Sequence, residues 1–339
     1  FATVPPLVDY PNHLARMHVL AKIGADPVLQ QNYAVDWAVR PNLGMDVIVP
    51  PLVNVLGSFD AGRLFVAATM LVMILGVVAL RRTLFGTAGF IPVFAYLVLY
   101  NHMLFWGFLN YLFGIGIFII LFSFWIRNRS KMNANMLIIT ACISSALFFI
   151  HFFAFCVYAF CHLLFEAERF YRGKNDALRR RQLAFGLALL PFVPTLVLTL
   201  VWLAGTASGA GEGLGFTYGA LGWKLVALFS PVFWAGKTLD IVMALSLILI
   251  AIWAIRERLI VIAPAMKWPL AGLCILAPLV PHNITGIEIW AADSRLPIVI
   301  ALLFVASVRL TAKPMPALRL VFGVVAALFA WRVVDVTLD

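Results

Sequence analysis

The chain has 339 residues, of which 63% are hydrophobic and 12% charged, where a soluble domain has about 45–50% apolar and about 25% charged residues. A soluble protein of this length has no interior large enough to hide so much apolar surface, which excludes an ordinary two-domain globular protein. The net charge of +10 then reflects which loops remain on the cytoplasmic side of a bilayer, so nucleic acid is not an expected partner.

The expected fold class is an all-α polytopic membrane protein. Runs of about 20 apolar residues mark a bilayer-crossing helix, and such runs lie near 61–80, 88–104, 107–126, 133–151, 152–168, 183–204, 238–255, 268–281, 296–311 and 318–335. That is about ten transmembrane helices in the visible sequence. Phe1 is not a natural start and Asp339 follows an apolar run without a terminator, so residues are expected beyond both ends. A span upstream of Phe1 would carry the first segment across and make about eleven in the full chain. Two parts follow: residues 1–60 as an outer loop, and residues 61–339 as a helical bundle with further outer loops at 205–237 and 282–295. With that assignment most of the 25 basic residues, among them Arg81, Arg129, Arg169, Arg180 and Arg256, fall in short inner loops, as the positive-inside rule requires. Cys142, Cys156, Cys161 and Cys274 sit in apolar runs and form no CxxC, which gives no disulfide or zinc framework.

In the first outer segment, Leu14, Met17, Leu20 and Ile23 recur at helical spacing after Pro11, a residue suited to a first helical turn. Residues 11–23 are therefore expected as an amphipathic helix along the outer interface. Asp9 precedes that helix and allows two readings. As a structural group it caps the helix start, where the dipole favours an anion. As a functional group it is a general base facing a polar cleft, with His13 four residues on. Asp9 and His13 also raise the possibility of a divalent cation, although two ligands are too few to define a site.

Five of the six histidines (His13, His18, His102, His151 and His282) map to the outer ends of the spans, alongside Asn101, Asn110, Glu288, Asp293 and Arg295. Ionisable groups at membrane depth usually line a cavity or pathway, so Asp9, His102, His151, His282 and Arg295 are expected around an outer-facing cavity, with His13, Arg16 and Lys224 as further substrate contacts. The bland alternative is that interfaces are wet and attract such residues. In NHMLFWGFLNYLFGIG, Gly107, Gly114 and Gly116 suit close helix packing. In AADSRLP, Asp293 and Arg295 read either as a salt bridge holding the loop, or with Arg295 free to grip a phosphate bidentately. Lys224 and Lys237 are rivals for that phosphate. No P-loop, GxGxxG, GxSxG or HExxH pattern is present.

The long first outer loop with Asp9, the amphipathic helix after it, the bundle of about eleven spans and Arg295-Leu296-Pro297 at the start of a late span together resemble the GT-C-fold glycosyltransferases. The resemblance is architectural and covers nearly the whole chain. It implies a polyprenyl-phosphate-linked sugar as donor, reaction at the outer, periplasmic face of a bacterial inner membrane, and Asp9 as the catalytic acid residue of the first loop. Family members often carry paired acidic residues there, whereas this chain has Asp9-Tyr10. Arg295 with a lysine from 205–237 would hold the phosphate, and lipid-linked sugar and membrane lipids would be the partners. Two other classes stay open: a lipid or solute transporter, and a non-catalytic subunit that packs against partner membrane subunits.

Overall fold

The computed structural model describes residues 4–173, 177–207, 215–234, 238–287, 289–311 and 315–338. Lys174, Lys237, Glu288 and the glycine-rich stretch 208–214 lie outside the described residues. Within them helix accounts for 76% of the chain, and sheet is confined to two short ribbons.

Helix α1 (Tyr10–Lys22) begins at a Pro in its first turn and buries Tyr10, Leu14 and Met17. That face packs on α3 and α4, where Gly62 leaves the room: a Cβ there would meet Tyr10 Oη at 2.4 Å and Leu14 Cδ2 at 2.5 Å. Helix α2 (Pro27–Asn32) is capped by the Asp26 carboxylate. Helix α3 (Gly44–Leu56) and helix α4 (Ser58–Phe85) follow, separated at Gly57. A 3-10 turn (Ile91–Ala95) then leads through α5 (Tyr96–Leu99) and α6 (His102–Phe105) into α7 (Leu109–Asn128). Helices α4 and α7 pack at glycine, since a Cβ on Gly116 would sit 2.6 Å from Val72 and 2.8 Å from the Met73 nitrogen. Close small-residue packing of this kind lets dispersion hold helices together where lipid removes the hydrophobic drive.

Helices α8 (Ala134–Ile150) and α9 (Phe152–Arg172) meet at His151. Helices α10 (Leu178–Leu189) and α11 (Val193–Ala207) join through a 3-10 turn at Leu190–Phe192, where Pro191 removes a backbone donor. The chain continues through α12 (Leu221–Ala227), α13 (Thr238–Arg256), α14 (Lys267–Leu279), α15 (Ala292–Ser307) and α16 (Met315–Leu338).

The connections gather at two ends. At one, strand β1 (Gly215–Thr217) pairs antiparallel with β3 (Asn283–Thr285), the Val8 and Asp9 amides donate to Phe105 and Trp106, and His102 N–H donates to Ser230 O. At the other, β2 (Ile260–Ile262) pairs with β4 (Val308–Leu310), and Arg81 donates to Val308 O and to Ala88 O. We call them the histidine end and the arginine end. Loops that the charge pattern assigns to one side thus bond to one another.

The count of ten long spans needs correction. Among the described residues three helices are long and apolar enough to cross a membrane: Ser58–Phe85, Leu109–Lys131 and Leu178–Gly205. Gly44–Leu56, Ile91–Phe105, Ala134–Ile150, Thr238–Ala254 and Pro264–Leu279 are apolar but only 10–17 residues long. Hydropathy reads apolar length without reading helix continuity. The run 88–104 is broken where Tyr100 leaves helical geometry at ψ 70°, and α9 carries Glu166, Glu168, Arg169 and Arg172 in its last turns. Helix α3 is also an apolar helix within what the sequence suggested was a loop.

Candidate functional site at the histidine end

Asp9 occupies the N-cap position of α1, but its side chain makes no capping hydrogen bond. The capping reading of this residue is therefore corrected. Its backbone is in the helical region at φ −88°, ψ −4°, whereas a capping side chain needs extended geometry to turn back onto the N2 or N3 amide. Gly107 (φ +86°) lies directly against it, and a Cβ there would touch Asp9 Cβ at 3.0 Å. Glycine adopts that left-handed turn without strain and also lets Asp9 approach.

His13 lies one turn along the same face, half-buried, and its ring donates to the Gly107 carbonyl. Burial pushes its pKa below the usual histidine value, and the nearby Asp9 carboxylate works against that shift. Arg16, one turn further, makes a bidentate pair with Asp46 of α3 (Nε–Oδ1 2.9 Å, Nη2–Oδ2 2.5 Å). Asp46 is buried and was not singled out from the sequence. A lone carboxylate inside the apolar GMDVIVPP was the available signal.

Trp106 and Trp290 carry the site across the bundle. Trp106 Nε1–H donates to His102 Nε2 at 2.7 Å, leaving His102 Nδ1 3.4 Å from the Trp234 carbonyl. The Trp106 and Trp290 rings meet at 5.0 Å, and Trp290 touches Phe108 at 6.0 Å and His282 at 5.9 Å. His282 Nδ1 is 2.9 Å from Asp293 Oδ1, and Lys224 Nζ is 3.2 Å from Asp293 Oδ2. Lys224 also donates to the Val280 carbonyl. The chain reaches α15 through Ala291 at φ +53°, a conformation costly for any residue with a Cβ.

Asp293 and Arg295 do not pair, which corrects the salt-bridge reading of AADSRLP. Residues two apart on a helix point to different faces: Asp293 turns to His282 and Lys224, Arg295 into the bundle. There Arg295 Nη1 lies 3.2 Å from His151 Nε2, and its guanidinium is over the rings of Phe108, Tyr111 and Phe153 at 4.8–5.5 Å. Arg295 is 6% exposed, and its Nε has no hydrogen-bond partner. Among the described residues no carboxylate lies within ion-pair distance of it. Tyr111, whose hydroxyl donates to the Arg295 carbonyl at 2.7 Å, fixes the backbone behind it.

The polar groups expected around one cavity are thus at one end, beside the contacting rings of Trp106, Phe108 and Trp290. A cavity of about 450 Å³ lies instead beside α1, lined by Arg16, Asp46, Tyr33, Trp37, Arg40 and Leu43. Asn101 and Asn110 are scaffolding: Asn101 caps α6 at Leu104 N, and Asn110 accepts from Met45 N and donates to Asn42 O. Among the described residues no three His, Cys, Asp or Glu side chains are gathered as a metal ion needs. Asp46 is already taken by Arg16, so Asp9 and His13 alone do not make a cation site.

Comparison with family models, curated proteins and solved structures finds no match for this chain.

Proposed function

We propose that this chain is a membrane glycosyltransferase of the GT-C type, moving a sugar from a polyprenyl-phosphate donor to an acceptor hydroxyl at the outer face of a bacterial inner membrane. The observation that carries the reading is Arg295, a buried guanidinium facing aromatic rings and an imidazole instead of a carboxylate. A buried charge is costly unless paired, so this position is receptive to an anion, and guanidinium geometry matches phosphate oxygens. Asp9, free of capping duty, stands at the same end.

The polytopic bundle belongs to this reading. In it, chain segments alternate between the two ends from α4 to α16, and the shorter apolar helices are proposed to complete crossings in pairs. The histidine end then faces outward and the arginine end faces the cytoplasm.

In the reaction the acceptor oxygen bonds to the anomeric carbon while the bond from that carbon to the phosphate oxygen breaks. The acceptor proton passes to the Asp9 carboxylate, and the electron pair leaves on the phosphate, whose charge Arg295 stabilises. Burial lowers the pKa of His13, which disfavours a charged imidazole beside Asp9. The cavity beside Arg16 and Asp46, with exposed Tyr33 and Trp37, is where a hydroxyl-rich acceptor would sit. Lys224, held by Asp293, positions the loop over Trp290.

The test is Asp9→Asn, which keeps size but cannot take a proton. With polyprenyl-phosphate sugars as donors, transfer should fall by about 10²–10⁴ while the melting temperature stays at the parental value, since no cap is lost. Parental turnover in the Asn variant would end the catalytic reading. Absence of any transfer by the parent, with a partner co-purifying at fixed ratio, would favour the non-catalytic subunit.

A further inference from the structure

A second polar cavity, of about 220 Å³, opens at the arginine end among Arg129, Glu166, Arg169, Phe170, Arg180, Arg181 and the backbone of α10. Its charges are unevenly satisfied. Glu166 is spent on Arg129, which grips it bidentately at 2.7 and 2.8 Å, and Trp125 Nε1–H takes a further share of the same oxygen at 2.8 Å. Arg169, Arg180 and Arg181 remain without a carboxylate partner among the described residues. Arg181 lies over the Phe170 ring at 4.3 Å and donates to the Phe170 carbonyl, yet its Nε is buried with no hydrogen-bond partner. Arg169 stands against the Phe165 ring at 5.9 Å.

Helix polarity sharpens the imbalance. Arg179, Arg180 and Arg181 occupy the first turn of α10, a turn with no acidic residue and no side-chain cap. Cations at that end face the positive pole of the helix, which favours an anion. Immediately beyond the cavity the same helix pair turns apolar and outward: Leu183, Leu190, Val193, Leu196, Val197 and Leu200 are each at least half exposed. This stretch belongs to one of the three helices long enough to cross a bilayer.

We infer that the cavity binds the phosphate headgroup of an anionic phospholipid, with its acyl chains lying along the exposed face of α10 and α11. The two observations divide the ligand between them. The unpartnered Arg181 Nε, the neighbouring Arg169 and Arg180 and the uncapped basic helix start define the phosphate, while the exposed apolar stripe further along the same helices defines a lipid instead of a free phosphate ion. Basic pockets between helices at a membrane surface recognise anionic headgroups in this way. The inference is independent of the glycosyltransferase reading.

The full chain, purified in detergent and depleted of lipid, is titrated with phosphatidylglycerol, phosphatidylcholine or glycerol 3-phosphate, and bound lipid is counted by native mass spectrometry alongside the melting temperature. Phosphatidylglycerol should bind and raise the melting temperature; the other two should not. Arg169→Gln with Arg180→Gln, both exposed positions, should weaken phosphatidylglycerol binding about thirtyfold, as expected for two basic contacts. Arg82→Gln, exposed at the same end but outside the cavity, should leave it unchanged. Equal binding of phosphatidylglycerol by the parent and the double variant would overturn the site. Equal stabilisation by glycerol 3-phosphate or by phosphatidylcholine would overturn the assignment to an anionic lipid.

Discussion

Arg129 and Arg295 are both buried arginines at opposite ends of one bundle, and they are treated differently. Arg129 is locked to Glu166 by two short hydrogen bonds, with Trp125 and the Ala184 carbonyl completing the network. Arg295 is given an imidazole, three rings and an empty Nε. A third buried arginine, Arg332, pairs with Asp240 of α13 and also donates to the Val232 carbonyl. Arg129 and Arg332 are thus buried against carboxylates, whereas Arg81 at the arginine end is held by the Ala88 and Val308 carbonyls. Arg295 differs from all three in meeting an imidazole and aromatic rings, with neither a carboxylate nor a carbonyl in its reach among the described residues, and a buried charge without such a partner is costly.

The comparison can be broken first at its paired member. Glu166→Gln leaves Arg129 buried without its counter-charge, and the expected loss is about 3–5 kcal/mol, the usual cost of removing one partner of a buried pair. It is read as a drop in melting temperature or folded yield. A stability within about 1 kcal/mol of the parent would show that the pair is not structural.

Arg295→Gln should behave in the opposite manner. Removing a buried charge that lacks a carboxylate leaves stability near the parental value, while transfer falls by about 10²–10³, as for the loss of one strong transition-state donor. A variant that unfolds but retains turnover per folded molecule would place Arg295 with Arg129 as scaffolding.

Gly62→Ala tests whether the Asp9 helix is held rigidly on the bundle. The added Cβ would press on Tyr10 Oη and Leu14, and overpacking of this kind costs about 1–3 kcal/mol. Transfer should fall with it, because α1 carries Asp9 and His13 away from Gly107. Unchanged stability would mean that α1 shifts freely on α4.

The smallest effect concerns pH. His13 takes up a proton less readily in the folded chain than in the unfolded one, chiefly through burial. Its contribution to stability is complete above the unfolded value of about 6.5 and is lost as pH falls through the lower folded value. The melting temperature should thus decline below about pH 6.5, and His13→Gln should flatten that decline. A profile identical in the two proteins would remove His13 from the account.

Much of this was legible in the residues themselves. Composition points to an apolar helical protein, which the structure bears out with three helices long and apolar enough to cross a membrane among the described residues; basic residues in short loops sort the connections into two sets, which the ribbons β1–β3 and β2–β4 then tie together. The spacing of Leu14 and Met17 marks α1, and five histidines announce the polar end. These are local or additive properties: apolar area, charge count and helical period.

Pairing was decided only by tertiary structure. Asp293 and Arg295 are neighbours in sequence but diverge on the helix, so one meets Lys224 and the other His151, 144 positions away. Asp46 reaches Arg16 across 30 residues, and Trp106 meets Trp290 from a different helix pair. The helix break at Tyr100 turned an apolar run into shorter pieces, which hydropathy cannot register. Apolar runs and charge counts are read directly from the chain, and they mark the helices and the two sets of connections. Which charge is satisfied and which is left open depends on distances between helices far apart in the chain, and no periodicity encodes those distances.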